Sequence, residues 1–292
     1  MDNKDPSGSV LTDKGLLDPA PPPYSPADAT KASSDSKSRI STVAGKFGTW
    51  FKSKEASPAA MDAILEPMLA EFDTVIILDD SGSMSGSSWK EARNALAPLA
   101  KIASKYDENG IDIHFMNSRE VGENIKDVDQ VMELFGKVQP SGATPLGGTL
   151  KRVITPYINR LDDAEKIGGR EAVEKIKPVN YIVITDGAPT DDTTEDVIIN
   201  AARRLDEKSR PKAQLGIQFV QIGNSSDASE FLERLDDDLV KKYKIRDMVD
   251  TTKAKWRKNL DAETLIKTLT GSFNRRVDEQ GGKVFRKDMG SK

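Results

Sequence analysis

From Phe72 onward, short apolar runs alternate with longer amphipathic stretches. This alternation is typical of βαβ units, in which each strand is followed by a helix that returns the chain to the next parallel strand. The pattern therefore predicts an α/β fold: a doubly wound, Rossmann-like, mainly parallel sheet flanked by helices. The predicted strands are Phe72–Leu78, Ile111–Met116, Val179–Thr185, Leu215–Ile222 and Met248–Val249, with Arg119–Asn124 as a short edge strand.

Helix-boundary signals fall between the predicted strands. Two segments have the spacing of a capping box, in which a Ser or Asp side chain and a Glu three residues later satisfy the first free N–H groups of a helix. Proline suits the first turn of a helix, and an internal proline is predicted to kink or break it. The predicted helices are 88–105 (Ser88 with Glu91), 128–138, 145–161 (from Pro145, with a kink or break at Pro156), 195–207, 227 onward (Asp227 with Glu230) and 262–276.

The first 57 residues differ in composition from the rest of the chain. They are rich in Pro and Ser, with Asp and Lys between them and few apolar residues before Ile40. Such a segment does not bury enough apolar surface to offset its conformational entropy. We expect a disordered tail over residues 1–57, an α/β domain over 58–280 and a flexible C-terminal tail over 281–292.

A short proline-rich motif lies within this tail. Pro21, Pro22, Pro23 and Tyr24 form a P-P-x-Y sequence. WW domains, such as those of ubiquitin ligases, hold motifs of this kind as a polyproline II helix in an aromatic-lined groove. We expect Pro21, Pro22 and Tyr24 to bind a WW-domain protein. The alternative is a proline-rich spacer that contains a tyrosine by chance.

A basic amphipathic segment follows over residues 37–54. Its apolar residues recur at helical spacing, and basic residues outnumber acidic ones around them. A helix of this kind lies on an anionic membrane surface or docks on a partner. Docking on the protein's own body is the simpler alternative, because two glycines within the segment weaken a helix. The sequence leaves these alternatives open.

Overall composition excludes several classes of function. The chain has 43 basic and 47 acidic residues and a net charge of −4, which gives no basis for nucleic-acid binding. It has no cysteine, so disulfides, thiolate zinc sites and cysteine nucleophiles are excluded. The lack of cysteine, of an N-terminal signal and of a long apolar run leads us to expect a cytoplasmic protein.

Hard oxygen ligands cluster in three predicted loops. Asp79, Ser81 and Ser83 follow the first strand, Asp186 follows the Val179–Thr185 strand, and Thr144 lies in a glycine-containing loop between them. In open α/β sheets the carboxyl ends of the strands form the ligand-binding edge. Carboxylate and hydroxyl oxygens suit a hard divalent cation. The sequence therefore predicts a cation site at this edge.

The five positions resemble the pattern of von Willebrand factor type A (VWFA) domains with a metal-ion-dependent adhesion site: D-x-S-x-S, a distant threonine and a later aspartate. The resemblance covers roughly residues 72–276. The phrases VIILDDSGSMSG and IVITDGAPTDD are similar, more narrowly, to intracellular fungal proteins built around such a domain. The resemblance implies a VWFA fold and a protein-binding role, and we expect no enzymatic activity.

The resemblance also implies how the site works. Asp79, Ser81, Ser83, Thr144 and Asp186 would hold Mg²⁺, or Mn²⁺ or Ca²⁺, with the two aspartates acting through water. Neutral hydroxyl ligands leave much of the cation's charge unneutralised. An open coordination position then accepts an Asp or Glu carboxylate from a protein partner.

Other interpretations of these residues remain. A magnesium-dependent phosphatase would use Asp79 as nucleophile, but Ser81 replaces the second acid of its D-x-D motif. The glycine-rich loop resembles a P-loop, but Gly148 replaces the phosphate-binding lysine. A serine hydrolase needs a histidine base in a late loop, whereas His114 lies in a predicted strand. A structural VWFA domain with a vestigial metal site is a further alternative.

Three acidic residues near the predicted site are expected to have supporting roles. We expect Asp80 to point away from the cation and to accept hydrogen bonds. Asp191 and Asp192 are expected to cap the helix that follows them rather than to extend the site.

Overall fold

A computed structural model describes Ala70, residues 72–105 and residues 107–253. Several sequence predictions fall outside these residues. They are the tail over 1–57 with Pro21, Pro22 and Tyr24, the basic segment over 37–54, the helix over 262–276 and the tail over 281–292.

The described residues form a six-stranded, mainly parallel sheet in the order β3-β2-β1-β4-β5-β6. Only β3 is antiparallel to its neighbour. This confirms the predicted α/β fold class and agrees with the fold that the VWFA resemblance implies. The strands are β1 (Asp73–Leu78), β2 (Ile111–Phe115), β3 (Val121–Ile125), β4 (Val179–Thr185), β5 (Leu215–Gln221) and β6 (Val249–Lys253).

Helices cover both faces of the sheet, and each face has its own apolar core. The helices are α1 (Ser87–Ala103), α2 (Val128–Lys137), α3 (Leu146–Glu174), α4 (Thr194–Glu207) and α5 (Ser226–Tyr243). Apolar residues of α1 and α2 pack on one face, and those of α3, α4 and α5 pack on the other. Strands β1 and β4 are buried along their whole length, and their central residues are apolar, as is typical of strands covered on both faces. None of the described helices is long and apolar enough to cross a membrane.

Both predicted capping boxes are wrong in position. Helix α1 begins at Ser87, and its N-cap is Gly86, which makes no side-chain cap hydrogen bond. Gly86 has φ of 85°, a left-handed conformation that allows a sharp turn into the helix. Helix α5 is capped by Ser225, whose hydroxyl accepts from the N–H of Ala228 at 3.3 Å. Asp227 lies in the first turn instead, where an acid is favoured by the helix dipole.

Helix α3 continues past the predicted break. Pro156 lies inside the helix, which runs to Glu174 rather than ending near Leu161. The non-helical residue is Gly169, with φ of 64° and ψ of −155°. Such a backbone conformation is open to glycine but costly for other residues, so the kink occurs there. The first part of α3 is therefore a long, rigid support for the loop that precedes it.

Candidate metal centre

The candidate site lies at the carboxyl end of the sheet, where three loops meet. Asp79 follows β1 directly, and its backbone N–H donates to the carbonyl of Ile184 in β4 at 2.9 Å. Asp186 follows β4 directly, and Thr144 lies two residues before α3. Strands β1 and β4 are neighbours from which the chain continues to opposite sides of the sheet. This is the position at which α/β folds of this kind bind ligands.

Asp79 forms the buried floor of the site. Its Oδ1 accepts from the Ser81 backbone N–H at 2.9 Å, and its Oδ2 accepts from the Thr185 hydroxyl at 2.7 Å. Burial raises the pKa of Asp79, and the nearby charge of Asp186 raises it further, while the two hydrogen bonds act in the opposite direction. The Asp79 carboxylate is thus fixed in orientation but poorly compensated in charge.

Two serine hydroxyls connect this floor to Asp186. The Oγ atoms of Ser81 and Ser83 lie 3.0 Å apart, and the Ser83 hydroxyl donates to Oδ1 of Asp186 at 2.7 Å. Alternate residues of an extended D-x-S-x-S segment would point to one side. The chain instead forms a 3₁₀ turn over Gly82–Met84 immediately after Ser81. The turn brings Ser83 beside Ser81 and allows it to reach the loop after β4.

The loop that contains Thr144 is joined to the loop after β1 by two backbone hydrogen bonds. The N–H of Gly82 donates to the carbonyl of Gly142 at 3.1 Å, and the N–H of Ser141 donates to the carbonyl of Asp80 at 2.7 Å. These bonds fix the position of the Thr144 loop relative to the loop after β1. Thr144 is buried at this point.

The Thr144 hydroxyl is not used as a helix cap. Helix α3 has Pro145 as its N-cap and no side-chain cap hydrogen bond there. Among the described residues, none is hydrogen-bonded to the Thr144 hydroxyl. A Cβ added to Gly187 would lie 4.0 Å from Thr144 Oγ1, so this hydroxyl faces the loop that contains Asp186. Thr144 therefore does not cap helix α3 through its side chain.

Asp80 lies behind the site and has the hydrogen-bonding role expected for it. Its Oδ1 accepts from the backbone N–H of Asn117 at 2.7 Å and from the Asn117 side-chain amide at 3.1 Å. Its Oδ2 accepts from the N–H of Ser118 at 2.8 Å. The Asn117 amide also donates to the carbonyl of Ala143 at 2.8 Å. Asp80 thereby connects the loop after β2 to the residue that precedes Thr144.

The charge of the site is not balanced by protein groups. In the part of the chain that the structure describes, no Lys or Arg forms an ion pair with Asp79 or Asp186. No group of three or more His, Asp or Glu side chains converges within those residues either, so the hydroxyls are needed to complete a ligand set. Asp79, Ser81 and Thr144 are buried, whereas Ser83 is exposed and Asp186 is half-buried. The site therefore opens to solvent on the side of Ser83 and Asp186.

Asp191 caps a different helix from the one predicted from the sequence. Its carboxylate accepts from the N–H of Gly147 and from the N–H of Gly148, both at 2.9 Å, so it caps α3. Its contact with the following helix, α4, is a longer 3.4 Å hydrogen bond from the Thr194 hydroxyl. The partner helix lies 44 residues earlier in the chain, and a local capping pattern does not reveal a contact at that separation.

His114 belongs to a strand and not to any of the three loops that form the candidate site. It lies in β2, as expected, and is largely buried. Burial lowers the pKa of His114 to about 4, and the nearby Arg152 lowers it too. The ring is therefore neutral at physiological pH.

No protein-family model matches the chain, and a search of curated proteins finds no match. Among solved structures, a crystal structure of the manganese-loaded TRAP protein of Plasmodium vivax aligns with a TM-score of 0.40 and 15% sequence identity. The alignment covers 69% of this chain and 74% of that chain.

Proposed function

We propose that this protein is a metal-dependent protein-binding module. One observation carries the proposal: Asp79 and Asp186 share a partly buried cluster with the hydroxyls of Ser81 and Ser83, and no Lys or Arg of the described chain pairs with them. A buried carboxylate without a compensating charge is costly. A divalent cation supplies the missing charge and uses oxygen ligands of these types.

The residues present fit such a cation. The Thr144 hydroxyl faces the loop that contains Asp186, and the Ser81 and Ser83 oxygens lie 3.0 Å apart beside Asp186. Asp79 is held by Ser81 and Thr185, which suits a carboxylate that acts through water. When bound, the cation supplies positive charge and an open coordination position. The ligand set we propose is Asp79, Ser81, Ser83, Thr144 and Asp186, with Mg²⁺, Mn²⁺ or Ca²⁺.

The partner we propose offers an Asp or Glu carboxylate. The site opens beside Ser83 and Asp186, so a carboxylate from another protein can approach from solvent. A cation held mainly by hydroxyls keeps enough charge to attract it. The VWFA resemblance of the D-x-S-x-S segment supports the same role.

Calorimetric titration tests the metal proposal. Mg²⁺ and Mn²⁺ are titrated into the wild-type chain and into Asp79→Ala, after both have been treated with chelator. We expect saturable heat with the wild type and none with the variant. Equal heats for the two proteins would overturn the proposal and favour a vestigial site.

A phosphatase assay separates binding from catalysis. We propose that the protein has no enzymatic activity. Phosphate release from a general phosphatase substrate that is lost in Asp79→Ala but retained in Ser83→Ala would favour an Asp79 nucleophile instead. Loss of partner binding in both variants, without turnover in the wild type, supports the binding module.

We also propose that the proline-rich motif recruits a WW-domain protein. The P-P-x-Y sequence ending at Tyr24 supports this second contact. The test is a pull-down with a purified WW domain from a ubiquitin ligase, using the wild type and Tyr24→Ala. Equal capture of both proteins would leave the motif as a spacer.

A further inference from the structure

The loop after β4 holds the backbone of Thr144 from both sides. The N–H of Thr144 donates to the Thr190 hydroxyl at 3.2 Å, and the N–H of Thr190 donates to the Thr144 carbonyl at 2.9 Å. This reciprocal pair joins residues 46 positions apart. Four residues before Thr190, the same loop contains Asp186.

Asp191 extends this contact to the start of α3. Its two carboxylate oxygens accept the N–H groups of Gly147 and Gly148, one each. These are among the four N–H groups that a helix leaves unsatisfied at its N-terminus, and a negative charge is favoured there. Because the N-cap residue Pro145 makes no side-chain cap hydrogen bond, Asp191 replaces a local cap.

Together these contacts fix Thr144 relative to Asp186. We propose that Thr190 and Asp191, termed the 190–191 clamp, are positioning residues that set the Thr144 hydroxyl in the metal site. The inference rests on the proposed function, because it concerns how that site is arranged. Neither Thr190 nor Asp191 is proposed to contact the cation.

The fold does not depend on the clamp alone. Helix α3 is also held by the Tyr181 hydroxyl, which donates to the Val153 carbonyl at 3.1 Å, and by the Tyr157 hydroxyl, which bonds to the Lys177 carbonyl at 2.9 Å. Apolar residues of α3 pack in the core on this face of the sheet. Removal of the Asp191 carboxylate should therefore loosen the start of α3 while the rest of the helix stays in place.

Mn²⁺ binding measured by electron paramagnetic resonance tests the clamp. The full chain is prepared as wild type, Asp191→Ala and Asp191→Asn, with Asp192→Ala as the matched control, because Asp192 is the exposed neighbour. We expect Asp191→Ala to weaken Mn²⁺ binding by about 10- to 100-fold, as is typical when groups that orient metal ligands are removed. Asp191→Asn, which keeps one acceptor oxygen, should fall between, and Asp192→Ala should match the wild type.

The thermal midpoint without metal separates positioning from stability. A purely structural role predicts a lower midpoint with unchanged Mn²⁺ affinity of the folded protein, and that result would overturn the inference. A failure of the proposed function is distinct, because the wild type itself would then bind no Mn²⁺. If the wild type binds Mn²⁺ and Asp191→Ala binds it with equal affinity, the role of the clamp is rejected while the proposed metal site stands.

A second pair of variants covers the case in which Asp191→Ala does not fold. Thr190→Val removes the hydroxyl that accepts from Thr144 but keeps the shape, and Thr190→Ser restores the hydroxyl. We expect weaker Mn²⁺ binding in Thr190→Val and near wild-type binding in Thr190→Ser. Equal affinity in these two variants would count against the clamp.

Discussion

The Ser83 hydroxyl lies 2.7 Å from Oδ1 of Asp186, although 103 residues separate them in the chain. This contact joins the loop after β1 to the loop after β4 on the solvent side of the candidate site. Both residues are proposed cation ligands, so the site is already assembled in the arrangement described. We therefore expect metal binding to require little rearrangement of these two loops.

Ser83→Ala should weaken Mg²⁺ binding by at least about 10-fold, since it removes one proposed ligand and the contact that orients Asp186. Ser83 is exposed, so the free energy of unfolding without metal should change by less than about 0.5 kcal/mol. Titration calorimetry and urea unfolding measure the two effects. Ser85→Ala is the control, because Ser85 is also exposed and makes only a 3.4 Å contact with the Pro140 carbonyl.

Asp80→Ala should destabilise the metal-free protein by about 1–3 kcal/mol, because the buried Asp80 carboxylate is the acceptor for the partly buried N–H groups of Asn117 and Ser118. Asp80→Asn keeps one acceptor oxygen and should cost less. Urea unfolding in the presence of chelator gives both values. Equal stability of Asp80→Ala and the wild type would show that the hydrogen bonds of Asp80 contribute little.

Gly147→Ala should be destabilising although alanine favours helices. A Cβ at this position would meet the Thr193 side chain and would lie 2.6 Å from the Thr194 backbone nitrogen. The neighbouring Gly148→Ala is the matched control, because its Cβ would lie 3.7 Å from Asp191 Oδ2, an ordinary contact. We expect a loss of about 1–3 kcal/mol for Gly147→Ala and a gain of up to about 1 kcal/mol for Gly148→Ala. The reverse order in thermal unfolding would contradict the close packing of α3 against α4.

Asp73 should make stability depend on pH. Burial raises the pKa of Asp73 from 3.8 to about 6, only partly opposed by Lys177. The folded protein therefore binds this proton more tightly than the unfolded chain, so stability falls as pH rises from about 4 to about 6. Asp73→Asn should remove this loss, on the order of 2–3 kcal/mol, when unfolding free energies at pH 4 and pH 7 are compared. An unchanged pH dependence in Asp73→Asn, matching that of the exposed control Asp129→Asn, would contradict the assignment.

The strands and the loops of the site were predictable because they depend on local pattern. The apolar run before Asp79 and the run before Asp186 each form a buried central strand, as predicted. Parallel strands place their carboxyl ends at one edge, so the loop residues meet there without further information. The contact between Ser83 and Asp186 follows from this topology.

Boundaries and caps were less predictable because they depend on contacts between distant segments. Asp191 precedes α4 but caps α3, since the start of α3 lies within reach of its carboxylate. Pro156 remains inside α3, where packing of the helix on the sheet outweighs the lost hydrogen bond. The kink occurs at Gly169, where the backbone adopts a conformation favourable only for glycine.

The gradient of burial across the site has a kinetic consequence. Asp79 is fully buried and Ser83 is exposed, so a cation in the proposed site would enter and leave on the side of Ser83 and Asp186. The proposed partner carboxylate would approach from that same side. We therefore expect a bound partner to slow the exchange of the cation with bulk solution, even where it changes the equilibrium affinity only slightly. Stopped-flow release of Mn²⁺ into excess chelator, with and without the partner, would measure this slowing, and equal release rates would count against it.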